Sequence, residues 1–197
     1  MNLAGIDVPL FMDGKPFLGG GVKSKDLSKR DEVYCYADRF DEKYDLVRTV
    51  RKGKWKYIRN YQGFYPDGLH NNYRYRMLAY QEWRELFNSG KLNEKQSQFF
   101  RPRPAEQLFD LSVDPHEVND LSGEPQFKKN LLELRSKLKQ QMVEMNDLSL
   151  YPESYMIENA LGDPLAFGRS RNEEIKSLVE IADLALLPFE NVKTKII

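Results

Sequence analysis

Side chains able to do covalent chemistry are sparse in this sequence. Its 197 residues include one cysteine, Cys35, and two histidines, His70 and His116. Nucleophilic catalysis needs a thiol or hydroxyl beside a base that is itself oriented. Neither a Cys-His nor a Ser-His-Asp set is discernible here: Cys35 is followed by Tyr-Ala-Asp-Arg, and His116 belongs to a turn motif. His70 has no second His or Cys at metal-ligand spacing and reads as a surface or hydrogen-bonding residue. More promising is the run Asp38-Arg39 and Asp41-Glu42, which either presents polar groups to a ligand or forms a solvated strand end with mutual ion pairs. Between Asn60 and Tyr80, aromatic residues interleave with arginines, Tyr73 among them. That composition stacks sugar rings or nucleobases, or packs under an irregular loop. Three consecutive glycines, Gly19-Gly20-Gly21, lack the Gly-Lys-Ser/Thr and the preceding apolar strand of a phosphate loop, so they read as a flexible connector.

Composition narrows the partners. Thirty basic and thirty acidic residues cancel, so no global attraction to nucleic acid or an anionic membrane is expected. Without an RNP-like or OB-like signature, the Tyr/Arg loop is not expected to bind nucleic acid. No stretch approaches the roughly 20 apolar residues of a membrane span, and the N-terminal Met-Asn-Leu-Ala-Gly-Ile-Asp-Val-Pro lacks the order of a signal peptide. A single cysteine excludes an intrachain disulfide.

The elements that must position these residues follow from periodicity. Val33–Arg39 is a strand by its aromatic and β-branched alternation. Leu46–Arg59 reads as a hairpin about a Lys52-Gly53 loop, which opposes Val50 to Trp55 and Val47 to Ile58. Tyr75–Ser89 turns helical and stops at Gly90; Asn93 caps a shorter helix ending at Phe100. Gln107–Leu111 is a strand. Beyond it Asp114 reads as an N-cap, Pro115 as N1 and Glu117 as N3 of a capping box. Phe127, Leu131, Leu134, Leu138, Met142 and Met145 recur at helical spacing as the core stripe of the clearest helix. Asn172–Leu187 is a second amphipathic helix whose stripe wants a partner. The expected fold is α+β, a small antiparallel sheet covered by a long C-terminal helix, with additional helices and a helical tail. Residues 1–32 read as a junction and linker, 33–150 as the main unit, and 151–197 as a helical tail that could lead into a further helical region.

Two strings then carry a family resemblance: Val47–Tyr61 (VRTVRKGKWKYIRNY) and Phe100–Glu117 (FRPRPAEQLFDLSVDPHE), with Glu144–Asp147 (EMND) continuing the pattern. Together with the Leu3–Ile6 junction, they resemble the C-terminal part of the sulfatases, most closely the heparan N-sulfatase group. Asp120 and Glu124 stand where that family usually has Asn and often has Asp. The resemblance implies hydrolysis of sulfate esters or sulfamates on sulfated glycans, by a formylglycine made from Cys or Ser in a C/S-x-P-S/A-R motif beside a calcium ion. Cys35 does not fit that motif, and Asp31-Glu32 and Asp41-Glu42 lack the context of the calcium ligands. The chain is therefore expected to bind no cofactor itself, to be inert alone, and to partner the catalytic N-terminal domain of a sulfatase. Asp38, Arg39, Asp41, Glu42, His70 and Tyr73 are the residues expected to border a sugar cleft, with no catalytic and no metal-ligating residue. The alternative is a non-catalytic module that binds a glycan or a protein through the Tyr/Arg loop. Relatives in this family mostly act in the periplasm, outside the cell or in lysosomes; the sequence does not choose among them.

Overall fold

A computed structural model describes residues 1–12, 14–40 and 42–187. In chain order its elements are α1 (Ser24–Leu27), β1 (Glu32–Phe40), β2 (Lys43–Lys52), β3 (Trp55–Asn60), α2 (Leu78–Asn88), α3 (Glu94–Ser97), β4 (Glu106–Asp110), α4 (Lys128–Glu144), α5 (Glu153–Asn159), α6 (Pro164–Ser170) and α7 (Asn172–Ala185). The four strands form one antiparallel sheet in the order β1-β2-β3-β4, and α4 lies across β2 and β3. The fold is α+β, as the patterning of the sequence implies.

One face of the sheet makes the core. Val50, Tyr57 and Leu108 lie side by side on adjacent strands and are fully buried beneath Leu131, Leu134, Leu138 and Met142 of α4. Each such apolar side chain taken from water contributes about 1.5–3 kcal/mol. Phe127 joins them by packing its ring 5.4 Å from that of Trp55. Met145 does not. It lies just past the end of α4 and is 64% exposed, because Asn146 takes a left-handed conformation (φ 53°) and turns the chain away.

The hairpin register differs from the expected one by two residues. Its loop is Gly53-Lys54, so Lys52 opposes Trp55, Val50 opposes Tyr57, Thr49 opposes Ile58 and Val47 opposes Asn60. Gly53 occupies the first loop position with φ 55°, where a side chain would be strained. A two-residue slip keeps every side chain on its own face. What selects the observed register is that Val50 and Tyr57 then meet under α4.

The Asp114 turn is also built differently. No helix starts at Pro115; the Asp114 carboxylate accepts the backbone N–H groups of Val118 (2.9 Å) and Asn119 (2.8 Å) and closes a loop. Glu117, left-handed at φ 55°, does not reach back to a cap and takes Lys56 Nζ at 2.6 Å instead. Next to it, Asp120 Oδ1 accepts the Leu108 N–H (3.0 Å) while the Leu121 N–H donates to the Leu108 carbonyl (2.8 Å), covering the outer edge of β4.

The amphipathic stripe of α7 finds its partner within the chain. Ile175 and Val179 are fully buried in the same cluster as Leu131 and Leu138, with Tyr151, Ala160 and Phe167 completing it. Arg59 of β3 reaches α7 through Nε to Asp183 Oδ1 at 3.0 Å. The expected continuation of the tail past Leu187 lies outside the described residues.

Candidate functional site

Polar groups converge where β1 turns into β2 and the loop between β3 and α2 folds back against that turn. A register irregularity between Ala37 and Arg39 bends β1 there. Asp45, 7% exposed at its side chain, accepts Lys43 Nζ at 3.1 Å, Arg103 Nη2 at 2.8 Å and the Leu46 N–H at 2.9 Å. Lys43 and Arg103 both extend to Asp67, at 3.0 and 3.4 Å. This ties the sheet to the loop and to the segment before β4. Arg74 donates to the Asp67 carbonyl (2.5 Å), and its guanidinium lies 5.1 Å from the Phe99 ring centre. Burial pushes the Asp45 carboxyl upward, but Arg103 and Lys43 outweigh it and hold the group below its ordinary value.

A second network crosses the sheet. Arg48, buried on β2, donates Nη1 to Asp38 Oδ1 (2.6 Å), Nε to Asp147 Oδ2 (2.6 Å) and Nη2 to Asp147 Oδ1 (2.9 Å). The Ser149 hydroxyl donates to Asp38 Oδ2 at 2.8 Å. Burial acts to raise the Asp147 carboxyl, yet the Arg48 hydrogen bonds and charge hold it low; the two carboxylates in turn keep Arg48 firmly protonated against its own burial.

The anticipated site residues divide accordingly. Asp38 is a partner of Arg48, between a cleft of about 350 Å³ against the end of α4 and a pocket of about 340 Å³ facing the loop. Glu42 is exposed and accepts Asn71 Nδ2 and Asn72 Nδ2, each at 2.8 Å. Tyr73, 67% exposed, shares with Glu42, Asn72 and Arg76 a shallow depression of about 400 Å³. His70 Nε2 lies 3.0 Å from Asn72 Oδ1, and its ring stacks on Tyr75 at 5.5 Å. Glu42, His70 and Tyr73 are thus brought together around Asn72, whereas Asp38 lies with a separate network. Asp41 and the Arg39 side chain lie outside the described residues.

Sequence reasoning missed Lys43, Asp45, Arg48, Asn71 and Asp147. Their partners are distant in sequence, Arg48 and Asp147 by 99 residues. The one available signal was the alternation that places Arg48 on the same strand face as the core residue Val50. Cys35 lies exposed on β1, on the face away from α4. Among the described residues, no group of three or more His, Cys, Asp or Glu side chains is placed to hold a metal ion. The arrangement offers hydrogen bonding and stacking.

No protein-family model matches the chain. It is similar to an ulvan-active sulfatase of Formosa agariphila, with 41% identity over 151 residues that cover 75% of this chain and 24% of that protein. Two solved structures resemble it more distantly. A 2-O GAG sulfatase aligns with TM-score 0.44 and 21% identity, over 73% of this chain and 23% of that one. A protein solved with its substrate D-glucosamine-2-N,6-O-disulfate aligns with TM-score 0.43 and 17% identity, over 74% and 23%. The chain corresponds in sequence to part of a sulfatase, and it spans 24% of the length of the curated relative it matches.

Proposed function

We propose that this polypeptide is the C-terminal subdomain of a sulfatase that hydrolyses sulfate esters or sulfamates on a sulfated glycan. The observation that carries this reading is the 41% identity over 151 residues to one quarter of a sulfatase. In the complete enzyme, formylglycine would supply the nucleophile and calcium the charge that binds the sulfate, both held by another region. Cys35 fits neither role, since Tyr-Ala-Asp-Arg follows it where the motif requires x-Pro-Ser/Ala-Arg. The contribution of this chain would be a rigid sheet-and-helix layer that presents the loops around Glu42, Tyr73 and Asp38 to the leaving sugar.

Two assays test it. Grafting residues 1–150 onto the Formosa sulfatase in place of the matching region should preserve turnover, while deleting that region should abolish it. The isolated chain, given calcium and either an aryl sulfate or a sulfated glucosamine, should release no sulfate. Turnover by the isolated chain, or a folded but inactive graft, would overturn the proposal.

The alternative, an interaction module working through the Tyr/Arg loop, draws on the exposure of Tyr73 and Arg76. Of the two arginines there, only Arg76 is suited to capture a ligand, because Arg74 is engaged by Asp67, Tyr80 and Phe99. Retention on heparin that Arg76→Ala abolishes would favour this alternative.

A further inference from the structure

The pocket between the β1–β2 turn and the 67–74 loop has a composition that selects among parts of a glycan. It encloses about 340 Å³, within the range of small-ligand sites. Asp38, Lys43, Asp45, Asn71 and Arg74 line it, and Tyr36 forms its rim with 75% of its surface exposed.

Among the described residues, the charges around this space already match one another. Lys43 and Arg103 are bound by Asp45 and Asp67. Arg48 is bound by Asp38 and Asp147. Arg74 is spent on a backbone carbonyl and two ring faces. Three of these cations are held by four carboxylates, and Arg74 by the carbonyl and the rings. An entering sulfate would have to displace Asp45 or Asp67 from a half-buried Lys43, leaving a carboxylate without its counter-charge. A sugar hydroxyl would displace nothing. Each carboxylate has about four acceptor sites. Asp45 uses three of them in the bonds described, and Asp38 three, counting Arg48 Nη2 to its Oδ2 at 3.4 Å. Asn71 donates one amide hydrogen to Glu42 and keeps the other. Tyr36 pairs with Arg48, whose guanidinium lies 5.8 Å from its ring centre, and it borders the neighbouring cleft as well; the exposed part of the ring is what is left for the C–H side of a pyranose.

We propose that this pocket seats one sugar ring of the glycan by its hydroxyls and C–H face, and reads the sugar rather than the sulfate. The natural ligand named here rests on the sulfated-glycan reading above.

The test is titration of the isotope-labelled full chain, followed by backbone amide shifts. The probes are neutral methyl glycosides, together with ulvan and heparin oligosaccharides in sulfated and chemically desulfated form. At least one unsulfated sugar should shift the amides of Tyr36, Asn71 and Arg74. Raising salt to about 0.5 M should leave its affinity within about twofold, since no ion pair forms. Tyr36→Ala, at an exposed position, should weaken binding about tenfold, whereas Tyr36→Phe, which keeps the ring against Arg48, should retain it. No shift with any unsulfated sugar would overturn the proposal. So would salt-sensitive binding of sulfated probes alone, or shifts centred on Met145 and Ser149, which belong to the neighbouring cleft. An inactive graft in the sulfatase assay would leave this titration untouched, so the two readings fail separately.

Discussion

Replacing Arg48 with methionine tests whether the cross-sheet network stabilises the fold in the way its geometry implies. Arg48 is 5% exposed, and its guanidinium joins Asp38 on β1 to Asp147 beyond α4. Methionine keeps most of the apolar stem but leaves Asp147, 13% exposed at its side chain, as a buried anion held by the Ser149 N–H. Breaking a buried pair from one side costs about 3–5 kcal/mol. For a chain of this size that lowers Tm by roughly 10 °C. The pH dependence gives the sharper reading. In the native chain Asp147 is depressed, so its contribution is complete above the unfolded carboxyl value of about 4 and fades as pH falls through the folded value. Without Arg48, burial is the largest influence on Asp147 and is opposed only by the Ser149 hydrogen bonds, so the carboxyl should rise above its unfolded value. The variant is then penalised most at neutral pH and recovers as the carboxyl takes a proton. Urea unfolding at pH 7 and pH 5 should show the gap between the two proteins narrowing, and adding Asp147→Asn should restore part of the loss at pH 7. A gap below about 1 kcal/mol at pH 7, in the range of an exposed pair, would refute the reasoning. So would a gap unchanged at pH 5.

Two other substitutions probe different joints. Ile175→Ala should cost about 2–4 kcal/mol in urea unfolding, because the fully buried side chain packs among α4 residues; an unchanged midpoint would mean that α7 does not share the core. Gly63→Ala should destabilise by more than about 1 kcal/mol, since a Cβ there would collide with the Arg103 carbonyl while the Arg103 N–H donates to the Gly63 carbonyl at 2.7 Å. The same measurement checks it, with Gly123→Ala, which meets open space, as the comparison.

Local rules made most of the fold legible. The α4 stripe, the Asn93 cap, the Gly90 stop and the strand at Glu106–Asp110 all follow from spacing that a short window contains. The errors occur where a local signal competes with a distant one. The Asp114-Pro115-x-Glu117 string satisfies a capping box on paper. Lys56, 61 residues away, takes the Glu117 carboxylate, and the loop closes on Asp114 before a helix can start. The hairpin register was misread for the same reason: turn chemistry permits either loop, and burial of Tyr57 beneath α4 decides.

The polar site was less legible, because its members are chosen by the tertiary fold. A sequence run marks charge density, which picked out Asp38 and Glu42, but cannot tell which carboxylate acquires a buried arginine and which faces water. Asp38 is committed to Arg48 and Ser149, whereas Glu42 stays exposed and fastens Asn71 and Asn72. Their separation has a functional consequence. The groups that fix the loops are charge-matched and half-buried, so they can hold position without being consumed by a ligand. Among the described residues, Tyr36, Tyr73, Arg76 and unused hydrogen-bonding capacity on groups already fixed in place remain for recognition. A surface of that kind favours a ligand that arrives with hydroxyls and a ring face over one that arrives with charge alone. On the function proposed above, such a surface would orient a glycan, with the attack on its sulfate left to another region.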